Sequence, residues 1–394
     1  MREIPLSAPN LNSDIVDNLK ECIDSGWVST SGRFISDFEK KIARYLKVKQ
    51  AVSCQSGTAG LHTALRILGV QAGEEVIVPT LTFIAAVNPI KYLGAEPVFM
   101  DCDDTLCIDT VKLRKFCTDE CEMMDGQLKN KKTGRSVKAI VPVHIFGNLC
   151  DMKSIMSIAK EFNLKVLEDA TEALGSYFKD GEFKGKYAGT IGDMGVLSFN
   201  ANKIITTGGG GMILSNDDNY LDQARYLTTT AKDDGLYFVH NDVGYNYRML
   251  NLQAALGVSQ IDELEKFIET KIHNYNLYKE CLKDVNGIKI LPFNDEIRAN
   301  HWFYSLIIDN EYLEAKKHIS NARDYIMKSL IEEGIQTRPV WKLSHTQRAY
   351  IDDQYYEITK APYFEKHVLN VPCSSDLKCE DVEFISGKII NLLK

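Results

Sequence analysis

The sequence predicts an α/β protein in which a large, mostly parallel sheet carries helices on both faces and a smaller α+β part follows. Three observations predict it. Short apolar runs alternate with helical patterns over the first 250 residues, the rhythm changes after Leu250, and no repeat or low-complexity linker lies between the two stretches. The chain has 394 residues, and a domain averages about 150, so two or three domain equivalents fit. The expected division is 1–250 and 251–394, closely packed.

The elements follow in order from hydrophobic periodicity. Strands are expected over 50–54, 75–78, 97–100, 137–143 and 164–168. Helices are expected over 59–68, with Leu61, Leu65 and Leu68 on one face, and over 83–93 and 152–162. The polar stretch around Asp125-Gly126 and Lys129 to Arg135 reads as a surface hairpin. Beyond Leu250, a long helix is expected over 252–282, with Leu256, Ile261, Leu264 and Phe267 as its apolar stripe. Strands over 288–291 and 302–308 and a helix over 323–333 complete the second part.

Composition narrows the function. Apolar residues make up 44% and charged residues 25%, and the formal net charge is −8. This excludes a disordered chain and argues against a nucleic-acid-binding surface. The longest apolar stretch, 83–100, is interrupted by Asn88, Pro89, Lys91 and Glu96, so no membrane span is expected. The N-terminal Met-Arg-Glu-Ile-Pro lacks the apolar core of a signal peptide, and a cytoplasmic location is expected. Ten cysteines include no Cys-x-x-Cys pair, which points to scattered reduced thiols and no metal site.

Four segments carry chemistry. Ser56-Gly57-Thr58-Ala59-Gly60 follows a strand and opens a helix, where free N–H groups and the helix dipole suit an anion; the same residues also make an ordinary cap. Glu168-Asp169 ends a strand, where a carboxylate can meet a buried cation, or Asp169 can cap a helix with Glu172 completing a capping box. Lys203 stands between an apolar strand and the run Gly208 to Gly211. A half-buried lysine there can form an imine with an aldehyde, and a solvated loop lysine is the plainer alternative. Gly244 to Met249 brings Asn246 and Arg248 before the long helix. The order is an anion loop, an aromatic at Phe83, an acid at a strand end and a lysine 34 residues after Asp169. It fits a pyridoxal phosphate enzyme of the aspartate aminotransferase fold, known as fold type I.

On these segments, with Gly26 to Ser29, Val78 to Phe83 and Pro142 to Gly147, the sequence resembles the DegT/StrS-type nucleotide-sugar aminotransferases over nearly its whole length. Within that family it looks most like the branch making UDP-4-amino-4,6-dideoxy-N-acetylglucosamine for legionaminic acid or bacillosamine. GDP-perosamine synthesis and a regulatory protein on the same fold are the alternatives. The resemblance implies that Lys203 carries pyridoxal phosphate and moves the proton. It implies Asp169 at the ring nitrogen, Glu172 near the ring hydroxyl and Phe83 stacked on the ring. Gly57, Thr58 and Ser198 would hold the phosphate, joined by Asn246 from the neighbouring subunit of a homodimer. The implied substrates are L-glutamate and a 4-keto sugar nucleotide, with Arg248 and Arg338 as candidate partners of the diphosphate and His144 and His301 as candidate linings of the sugar pocket.

Overall fold

The computed structural model describes residues 3–393; Met1, Arg2 and Lys394 lie outside them. A ten-stranded sheet organises the first part. Ala51–Cys54 and Gly211–Leu214 run antiparallel at one flank, and Met194–Ser198 continues from them. Lys165–Asp169, Ser136–Ile140, Glu75–Pro79 and Glu96–Met100 then follow in parallel. These strands are buried almost throughout, as continuous apolar runs require when helices cover both faces. The expected hairpin forms from Cys121–Met124 and Gln127–Asn130 and pairs onto Ser136–Ile140.

One expected helix is broken. Over 83–93 the chain makes a 3-10 turn, Ile84–Ala86, and a separate short helix, Asn88–Tyr92. Pro89 lacks a backbone donor and disfavours helical geometry in the residue before it, so it sits in the first turn of a new helix. The strand expected from Trp302 begins only at Tyr304, because His301 adopts φ +52° and turns the chain first.

The second part is built on an antiparallel sheet ordered Ile288–Ile290, Tyr304–Ile308, Val368–Val371 and Arg338–Pro339. The long helix Asn251–Leu282 joins the two parts. Leu264, Phe267 and Ile268 pack with the Arg33–Leu46 helix, and beyond them Tyr275, Tyr278 and Leu282 pack with the C-terminal sheet. Gly257 permits the close crossing: a Cβ there would lie 2.6 Å from the Phe38 ring. Leu81, Val143 and Phe146 share the C-terminal core, so the sheet ends that face the second part are covered by it. One strand crosses back: Gln354–Tyr356 pairs parallel with Glu96–Met100 and closes that flank of the large sheet.

Candidate active site

A cavity of about 330 Å³ opens at the carboxyl ends of the parallel strands, where open α/β sheets bind ligands. Its floor comes from the first part: Gly57, Thr58, Phe83, Asp169, Thr171, Glu172, Ser198 and Lys203 line it. Its cover comes from the second part, as Trp302, Phe303 and Trp341. Seven residues expected from the sequence are therefore brought together: Gly57, Thr58, Phe83, Asp169, Glu172, Ser198 and Lys203.

Each is positioned by its element. Ser56 Oγ accepts the Ala59 N–H at 3.1 Å and caps the Gly57–Ile67 helix. The cap does not exclude an anion, since first-turn N–H groups lack partners within the helix. A Cβ on Gly57 would meet Thr171 Cγ2 at 2.9 Å and Ser198 Cβ at 3.0 Å, so only glycine lets the helix end approach these side chains. Asp169 ends its strand, and its Oδ1 accepts the Thr171 N–H at 3.0 Å. No helix follows, and the capping box is not formed. Glu172 instead accepts the Phe146 N–H at 2.9 Å through Oε2.

Lys203 Nζ lies 3.8 Å from Glu172 Oε1 and 3.9 Å from the centroid of the Trp302 indole. Burial lowers the pKa of Lys203, while Glu172 and Asp169 pull it back up. Burial raises Glu172 to about 7 against the opposing pull of Lys203. Asp169 is raised too, by burial, with Thr171 as its hydrogen-bond donor. The cavity thus holds an amine whose proton burial loosens, a buried carboxylate, a helix N-terminus suited to an anion, and the half-exposed ring of Phe83. Those features fit an aromatic aldehyde bearing a basic ring nitrogen and a phosphate.

Five expected residues lie elsewhere within the chain. His144 is fully buried. Its Nδ1 accepts the Cys150 N–H at 3.1 Å, so Nε2–H donates to Glu168 at 2.9 Å. That makes it a structural histidine, and it does not line the cavity. His301 is likewise outside the cavity, with its ring between Phe293 and Tyr275 at centroid distances of 4.1 and 4.6 Å. Arg338 is exposed and donates to the Thr337 carbonyl. Arg248 bridges to Cys54 in the backbone, and exposed Asn246 bridges to Thr229. The tryptophan cover was not read from the sequence, although two of only three tryptophans in the chain form it. The cysteines are free thiols, and no group of three or more metal-ligating side chains occurs among the described residues. No helix there is long and apolar enough to cross a membrane.

The fold and this site define a pyridoxal-phosphate-dependent aminotransferase of fold type I. The chain belongs to the DegT/DnrJ/EryC1/StrS aminotransferase family, which matches residues 9–390. It is 37% identical to a GDP-perosamine synthase of Vibrio cholerae, over 98% of each chain. Identity to the UDP-4-amino-4,6-dideoxy-N-acetyl-beta-L-altrosamine transaminase of Campylobacter jejuni is 25%, over 99% of this chain and 98% of that one. A family aminotransferase from Brucella abortus superposes with a TM-score of 0.85 at 26% identity, covering 96% of this chain and 95% of the other.

Proposed function

We propose that this enzyme moves an amino group from L-glutamate to carbon 4 of a nucleotide-linked 4-keto-6-deoxy sugar. The observation that carries the proposal is Lys203 Nζ, buried beside Glu172 and under Trp302 in a cavity bounded by Asp169 and the Gly57–Ile67 helix. When bound, pyridoxal phosphate supplies an aldehyde and a ring able to withdraw electrons from an adjacent carbon. Lys203, its proton loosened by burial, provides the amine that attaches the group. Lys203 would also move the proton between the carbons that lose and gain it. Asp169 keeps the ring nitrogen protonated through a charge-assisted hydrogen bond. Gly57, Thr58 and Ser198 hold the phosphate at the helix end. Phe83 lies against the ring, and Asn246 reaches the phosphate of the partner subunit in a homodimer. The division into a large domain, 1–250, and a small one, 251–394, belongs to the same reading. The ten-stranded and four-stranded sheets support it, with Gln354–Tyr356 as the one strand of the second part that joins the larger sheet.

For the sugar nucleotide, likeness to the Vibrio cholerae enzyme favours GDP-4-keto-6-deoxymannose, giving GDP-perosamine. The opening Ile-Pro-Leu-Ser and the polar hairpin favour a UDP-4-keto-6-deoxy-N-acetylglucosamine as the second reading. Purified enzyme assayed with glutamate and GDP-, UDP- and dTDP-linked 4-keto-6-deoxy sugars decides between them. Turnover of the GDP sugar alone supports the first, turnover of the UDP sugar alone the second, and turnover of none overturns both. Borohydride reduction of the loaded enzyme followed by peptide mapping marks Lys203; recovery of that peptide unmodified overturns the site.

A further inference from the structure

Lys271 lies within the long helix, buried to 2% exposure. A buried ammonium ordinarily needs a carboxylate. Here Nζ donates to two backbone carbonyls, Trp302 O at 3.1 Å and Cys373 O. The Tyr304 ring stands 5.6 Å away, and Tyr304 Oη donates to the Lys271 carbonyl at 2.9 Å. Both segments that Lys271 grips lead to the same place. Trp302 Nε1–H donates to Asn202 O at 2.7 Å while its indole covers Lys203 Nζ. Cys373 N–H donates to Leu6 O at 2.8 Å, and Ser374 Oγ accepts the Ala8 N–H at 2.8 Å. Between those two anchors, Ser7 Oγ donates to Asn202 O at 3.1 Å. The carbonyl just before Lys203 is thus gripped from two sides, and both grips trace back to one cation.

We infer that Lys271 is a positioning residue, which fixes the Asn202–Lys203 peptide and the indole over Lys203 Nζ through Trp302 and through the crossing of 373–374 with 6–8. The inference rests on Lys203 as the reactive lysine. Only a donor with more than one hydrogen can join two carbonyls from separate segments, and an apolar side chain of similar size would leave both without that donor.

The test follows pyridoxal phosphate loading into apoenzyme by its visible absorbance, alongside kcat and KM. Lys271→Met is expected to slow loading about tenfold and to lower kcat at unchanged KM, the cost of a misplaced reacting group. Lys271→Arg, which keeps donors for both carbonyls, restores loading. Tyr275→Phe serves as the control for general loosening. It removes a buried hydroxyl's bond to Leu291 O, 3.0 Å long, in the same core and away from both segments that Lys271 grips, and it leaves loading unchanged. Should Lys271→Met fail to fold, the double variant Ser7→Ala with Trp302→Phe removes both donors to Asn202 O and must slow loading in its place. Wild-type loading in either case, or equal slowing by Tyr275→Phe, overturns the inference. Borohydride mapping of the wild-type enzyme judges Lys203 separately: a label on another lysine sinks the site whatever Lys271 does.

Discussion

Glu172 and Lys203 stand 3.8 Å apart, and each alters how readily the other holds a proton. The carboxylate raises the pKa of the lysine, against burial, which lowers it. Glu172→Gln removes that support, so Lys203 should lose its proton at lower pH. In apoenzyme, the pH midpoint for acylation of Lys203, read by mass spectrometry, is expected to fall; an unchanged or higher midpoint contradicts the pairing. Asp169 poses the complementary problem of a buried carboxylate whose hydrogen-bond donor is the Thr171 backbone. Asp169→Asn keeps the shape and removes the charge. A charge-assisted hydrogen bond is worth about 1.5–3 kcal/mol, so kcat/KM should fall about 10- to 100-fold. A change below about threefold in steady-state assays would place the ring nitrogen elsewhere.

Among the elements, the Gly57–Ile67 helix and the Glu96–Met100 strand show how local chemistry fixes larger parts. Gly57→Ala drives a Cβ into Thr171 and Ser198. It should raise the Kd for pyridoxal phosphate about tenfold in equilibrium titration, because the helix end is pushed off its anion. Asp101 follows its strand and binds the second part to the first. It accepts Lys112 Nζ and the N–H groups of Thr359, Lys360 and Ala361. Burial alone would push its carboxyl up, but these donors outweigh burial and hold it at about 2. Asp101→Asn should cost about 3 kcal/mol in denaturant unfolding at neutral pH. Because the folded pKa is depressed, this stabilisation is present above pH 4 and fades as pH falls toward 2. The central strands and four helices, the long one included, were legible because side-chain period and burial leave a local trace; helices such as Asp14–Ser25, Arg33–Leu46 and Cys379–Leu393 and the strands Gly211–Leu214 and Val368–Val371 were not expected. The cradle, the acid and the lysine were legible because each closes an element with an unusual residue. The Trp302 cover was not, since it reaches Asn202 from 100 positions away. His144 and His301 misled because a histidine in a sequence does not show whether folding gives it a buried partner or an apolar sleeve.

For the molecule as a whole, His301 is an acid-sensitive point. Burial holds it at about 3, whereas an unfolded histidine titrates near 6.5. The unfolded chain therefore binds the extra proton between those values, and stability falls by about 1.4 kcal/mol per pH unit below 6.5. His301→Asn, which tolerates the left-handed backbone, should lose about 2 kcal/mol less than wild type between pH 7 and 5 in urea unfolding. The site sharing proposed above makes a second expectation. Mixing Lys203→Ala with Asn246→Ala subunits should restore part of the activity, since a hybrid dimer has one site free of both changes; no recovery after subunit exchange excludes the sharing. The crossing back of Gln354–Tyr356 to Glu96–Met100 also bears on how the protein is made. A ribosome releases the whole first part before the strand that completes its sheet has been synthesised. Until then the Glu96–Met100 flank exposes unpaired backbone, the kind of edge that recruits other chains. Nascent chains stalled before residue 354 should therefore depend on chaperone holding, and chains stalled well beyond residue 356 should be released from it.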